Sequence, residues 1–101
     1  MHEGPPNQEN IERVTKEQVI ESLRQNPKDL SLLHRFLDRR EAEVRSSHDA
    51  LTLNVEVAEI YRDAGLRDAA RTAFEDAAEQ AWQEHEDTLY EQLMNEVDEL
   101  G

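Results

Sequence analysis

Residues 51–84, LTLNVEVAEIYRDAGLRDAARTAFEDAAEQAWQE, decide how this chain folds. The opening run Leu51-Thr52-Leu53-Asn54-Val55-Glu56-Val57 alternates apolar and polar residues, which is the pattern of a half-buried strand. That alternation ends at Ala58-Glu59-Ile60-Tyr61, and an isolated strand would have no partner for its backbone. The segment therefore reads as a helix over about 50–64, with Asp49 as its N-cap. Such a helix gathers Leu53, Val57, Ile60, Tyr61 and Ala64 on one broad face and Thr52, Val55 and Glu59 on another. Gly65 supplies the left-handed residue that ends many helices. No Gly or Pro follows until Gly101, so local propensity would allow one long rod. The apolar phase decides against it. Ala70, Ala73, Phe74, Ala77 and Ala81 make one stripe, and Leu89, Leu93, Val97 and Leu100 make another, rotated by roughly a quarter turn. A break is expected within 83–87, leaving helices over 67–82 and 87–100.

Upstream, Thr15 is a good N-cap, Gln18 stands at the capping-box position, and Val14 and Val19 occupy the two staple positions. The first helix is expected over 15–25. Asn26-Pro27-Lys28-Asp29 reads as a second start, with Asn26 as N-cap and Pro27 in the first helical position, where a missing N–H is harmless. The second helix is expected over 27–45, with Leu30, Leu33 and Leu37 as its stripe, widened by Leu32, Phe36 and Val44. Its outer face offers the pairs Arg39/Glu43 and Glu41/Arg45. Residues 1–13, rich in Gly, Pro and Asn without apolar periodicity, read as a flexible tail. The expected fold is thus all-α: a single domain over 14–101, a small array of about five antiparallel helices with the last one as a cap.

Composition limits function. The 101 residues carry 24 Asp and Glu against 11 Lys and Arg, a net charge of −13, and no Cys. The acid is not evenly spread: residues 1–45 hold nine acidic and eight basic groups, whereas residues 46–101 hold fifteen acidic and three basic. Arg71 is the last basic residue of the sequence. Such a field repels phosphate backbones, which argues against direct nucleic-acid binding, and steers basic partners inward. The absence of Cys removes disulfides, thiolate nucleophiles and Cys-based zinc sites. No run reaches the roughly 18 apolar residues of a membrane span, and the first residues lack a signal-peptide pattern, so a cytoplasmic location is expected.

With Tyr61, Gly65, Ala70, Phe74 and Ala77 in one register, residues 51–84 resemble a tetratricopeptide repeat, a helix-turn-helix unit of about 34 residues. Val57 and Ala58 stand where that signature has Leu-Gly, Asn54 replaces its Trp, and Trp82 replaces its Pro. Asn26-Pro27-Lys28-Asp29 is similar to the junction between such repeats, while residues 30–50 and the position of Asn95 depart from the pattern. The resemblance implies a helix-turn-helix core that recognises ligands along the first helix of each repeat, here at Thr52, Val55, Glu59, Arg62 and Asp63. Family members that bind acidic chaperone tails clamp a terminal carboxylate with Lys and Asn. Val55 and Glu59 stand in those places, so a basic or amphipathic segment fits better.

Catalysis has little to build on. His34, His48 and His85 stand in no ordered arrangement, and Ser47-His48-Asp49 is three consecutive residues whose side chains diverge, where a catalytic triad needs convergence. Glu84-His85-Glu86-Asp87 lacks the spacing of a known metal motif. No enzyme activity, cofactor or metal is expected. Trp82 adds a candidate contact residue, since Trp is over-represented at binding hot spots. The leading expectation is an adaptor that binds a protein partner. The alternatives are an acidic decoy that occupies a nucleic-acid-binding or other basic surface of a target, and a homodimer paired through Leu89, Leu93, Val97 and Leu100.

Overall fold

Thr15 opens the first helix in the way its sequence predicts. Its hydroxyl accepts the Gln18 N–H at 3.2 Å and the Gln18 side chain accepts the Thr15 N–H at 2.9 Å, a complete capping box. Val14 and Val19 flank that turn and are buried in the same cluster. In the computed structural model, which describes residues 14–101, the helices are α1 (Lys16–Gln25), α2 (Ser31–Ala42), α3 (Ser47–Asp63), α4 (Arg67–Gln83) and α5 (Asp87–Leu100). The expected tail, 1–13, lies outside the described residues. All five elements are helices and no strand is present among the described residues.

The second helix is shorter than expected at both ends. Asn26 closes α1 by donating its N–H to the Ser22 carbonyl at 2.9 Å, and its side chain accepts the Lys28 N–H at 3.2 Å. The side chain that would have capped a helix at Pro27 is therefore committed to a turn. Asp29 organises the true start: one carboxylate oxygen accepts the Ser31 hydroxyl at 2.6 Å and the Ser31 N–H at 3.2 Å. The hydroxyl contact first, and the amide second, hold this carboxyl below its ordinary range. At the far end α2 stops at Ala42, and Arg39 reaches Glu43 at 4.0 Å. The expected Glu41–Arg45 pair does not form, because Arg45 lies past the helix and gives its N–H to Asp49 at 3.0 Å. The N-cap of α3 is consequently Ser46, whose hydroxyl accepts the Asp49 N–H at 3.1 Å, and the helix begins at Ser47 with Asp49 inside its first turn.

α3 is the centre of the array. Leu51 and Ala58 are buried in a cluster with Ala70, Phe74, Ala77, Ala78 and Ala81 of α4 and Leu93 and Val97 of α5. Leu53 and Ile60 are buried in a second cluster with Val19 and Leu23 of α1 and Leu33 and Phe36 of α2. Residues two apart on a helix lie about 200° apart, so two opposed buried faces produce strict alternation over a few residues. The strand-like run at 51–57 is thus the signature of a helix covered on two sides. Tyr61 packs against both clusters and joins them.

The turns before and after α4 are built alike. Gly65 (φ 83°) donates to the Arg62 carbonyl and Leu66 to that of Tyr61; His85 (φ 63°) donates to Trp82 and Glu86 to Ala81, all at 2.9–3.1 Å. The expected break at 83–87 is present as this second left-handed turn. The array measures 52 × 32 × 16 Å, and its thickness matches two helix layers with axes about 10 Å apart.

Candidate functional site

The face of α3 that carries Thr52, Val55, Glu59, Arg62 and Asp63 lies between α1 and α5, and most of it is spent on internal contacts. Thr52 gives its hydroxyl to the His48 carbonyl at 3.0 Å, and Val55 packs half-buried on the α3–α4–α5 cluster. Glu59 pairs with Lys16 of α1 at 2.6 Å. Arg62 reaches Asp63 at 3.0 Å and Glu96 of α5 at 3.2 Å, and its guanidinium stands 5.9 Å from the centre of the Phe74 ring. The Asp63 hydrogen bond, followed by the Asp63 charge and then the contacts of Glu96, raises the Arg62 guanidinium above its ordinary value; partial burial opposes this more weakly than the first of these. Asp63 contributes its backbone as well, since its carbonyl accepts two guanidinium N–H groups from Arg24 of α1 at 2.8 and 3.1 Å. These links tie α1 and α5 to the central helix.

Trp82 keeps different company. It is 62% exposed, far more than the other exposed large apolar residue among those described, Leu30 at 37%. Its ring centroid lies 5.3 Å from that of Tyr90, with the planes tilted by 56°. The two rings stand in a crease of about 360 Å³ between α4 and α5, lined by Glu75, Ala78, Glu79, Trp82, Tyr90 and Met94. None of the α3 residues lines it. Glu75, Ala78, Glu79 and Trp82 follow helical spacing on α4, as do Tyr90 and Met94 on α5. That spacing was visible in the sequence, but the left-handed turn at His85 is what brings the two stripes together.

The carboxylates of α4, of α5 and of the turn between them divide into two groups. Glu75 faces Arg71 at 3.8 Å, Glu84 accepts the Ser47 hydroxyl at 2.9 Å, Glu86 lies 3.6 Å from the His48 imidazole, and Glu96 holds Arg62. Asp68, Asp76, Glu79, Asp87, Glu91, Asp98 and Glu99 have no cationic partner among the described residues. The Ser47-His48-Asp49 side chains go to Glu84, Glu86 and the Arg45 N–H respectively, so they point to three different places. No group of three metal-ligating side chains occurs among the described residues, and none of their helices is long and apolar enough to cross a membrane. The homodimer stripe is largely covered within the chain, with Leu93 2% and Val97 7% exposed against α4.

Fold and surface together define a small all-α helical array with an acidic face on its last two helices. No protein-family model matches the chain, and no curated protein and no solved structure is detectably similar to it.

Proposed function

We propose that this protein is a non-catalytic interaction module, organised like a tetratricopeptide-repeat adaptor, that binds a basic or amphipathic segment of a protein partner. The observation that carries the reading is the set of carboxylates on α4 and α5 without internal partners. Neither helix has a basic residue in its last turn, and Asp98 and Glu99 sit near the negative end of α5. A carboxylate there opposes the helix dipole by about 0.3–1 kcal/mol, so local stability does not account for its presence. A cation supplied by a partner would offset that cost. The helix-turn-helix of α3 and α4, turning at Gly65 and packed through Phe74 and Ala77, supports the likeness to the repeat family.

Titration of the full chain with an Arg- and Lys-rich peptide at 0.1 M and 1 M salt tests the proposal, because the screening length falls from about 10 Å to about 3 Å. Affinity should drop by about tenfold or more, mainly through slower association. Equal affinity at both salt concentrations, or no binding at either, would refute it. The spread of free carboxylates along both helices also favours a second reading, an acidic decoy for a nucleic-acid-binding or other basic surface of a target. In that case joint neutralisation of Glu91, Asp98 and Glu99 abolishes binding and Trp82 is dispensable.

A further inference from the structure

Neither core cluster accounts for Trp82. Buried positions on α4 are filled by Ala70, Phe74, Ala77, Ala78 and Ala81, and the indole projects beyond them against Tyr90. Ala78, 1% exposed, forms a low floor between the helices, so the taller side chains around it leave a crease instead of a filled seam. Three of its walls are apolar or aromatic: Trp82, Tyr90 and Met94. The remaining polar walls are the carboxylates Glu75 and Glu79, and only Glu75 has a cation near it, Arg71 at 3.8 Å.

From this combination we infer that the α4–α5 crease is the docking site for one arginine-bearing segment of a partner protein, with the guanidinium over the indole of Trp82 and paired to Glu79. An aromatic face attracts a cation within about 6 Å of its centre, and a carboxylate beside it supplies the hydrogen-bond acceptors that a planar guanidinium requires. The methylenes of the same side chain, or an apolar neighbour two or three residues along the segment, would cover Met94 and Tyr90. Charge complementarity selects the occupant: every charged wall of the crease is acidic, and α4 and α5 carry no base after Arg71. The inference rests on the interaction-module reading and gives it an address on α4 and α5, away from the charged face of α3.

Trp82 is the single Trp of the chain, so its emission reports directly on the crease. The probe is a ten-residue peptide alternating Arg and Leu; its control carries uncharged citrulline in place of each Arg. The Arg peptide should shift Trp82 emission saturably and the citrulline peptide should not. By calorimetry, Trp82→Ala should weaken Arg-peptide binding about 30-fold, as removal of an interface hot spot does, and Glu79→Gln about tenfold. Trp82→Phe should keep most of the affinity by preserving an aromatic face. The indole is largely exposed, so circular dichroism of the variants should match that of the parent chain. Unchanged affinity in Trp82→Ala, with salt dependence intact, overturns the crease and leaves the interaction module standing. Absence of any Arg-peptide binding at 0.1 M salt overturns both.

Discussion

Gly65 and His85 perform the same task with different chemistry. Each occupies the left-handed region after a helix, and each is followed by a residue that donates back to a carbonyl five positions earlier. At Gly65 the sequence announces the turn, since glycine adopts positive φ without a Cβ penalty. At His85 the residue type is a weak signal, His being enriched at positive φ but far less free there than glycine, and the phase slip between the α4 and α5 stripes is what shows that the helix must end there. The asymmetry has a thermodynamic consequence. A Cβ built on Gly65 meets nothing within 4 Å, so Gly65→Ala should cost the backbone strain alone, about 1 kcal/mol. His85→Gly should instead stabilise by a few tenths to about 1 kcal/mol, the relief of strain exceeding the entropy that glycine adds to the unfolded chain. Thermal melts should move in opposite directions, by about 5 °C downward for Gly65→Ala. If both variants lose stability to a similar extent, the His85 turn is not left-handed in solution.

At the scale of elements, α3 explains why its own sequence resembles a strand. Leu51 is 0% and Leu53 5% exposed, yet they belong to different clusters on opposite sides of one helix. Leu51→Ala and Leu53→Ala should each destabilise by about 2–5 kcal/mol, whereas Thr52→Ala between them should stay within about 0.5 kcal/mol. The location of the disturbance separates the two. Amide shift changes from Leu51→Ala should spread into α4 and α5, and those from Leu53→Ala into α1 and α2. Were both to perturb the same pair of helices, α3 would have a single buried face and the account of the alternation would fail. The shortened α2 teaches a related lesson about caps. Asn26 and Asp29 are both good cap residues, and local chemistry alone does not say which one turns the chain and which one starts the helix. The need of α1 for a terminator assigns Asn26 to the turn, and the start shifts to Ser31.

At the scale of the whole molecule the array is unevenly held. α4 is packed between α3 and α5 through five buried residues, while α2 buries only Leu33 and Phe36. In arrays where each element depends on its neighbours, protection from exchange follows that difference. Native-state hydrogen exchange should therefore give the greatest protection in α4 and the centre of α3, with α2 opening at lower free energy; α2 amides that exchange only through global unfolding would contradict this. The all-α class, the five helices, the Thr15 cap and the break before α5 were legible because each follows from short-range rules: periodicity, capping and the placement of Gly65. The concentration of acid after residue 45 was legible for the same reason, since a charge count needs no coordinates. Tertiary packing decided the rest. Packing turned the face of Glu59, Arg62 and Asp63 into a set of internal ties, because Lys16, Arg24 and Glu96 come from helices far away in sequence. The pairing of Trp82 with Tyr90 and Met94 across a crease was also decided there, since the spatial register of two helices depends on the turn between them and on the small residues at their contact.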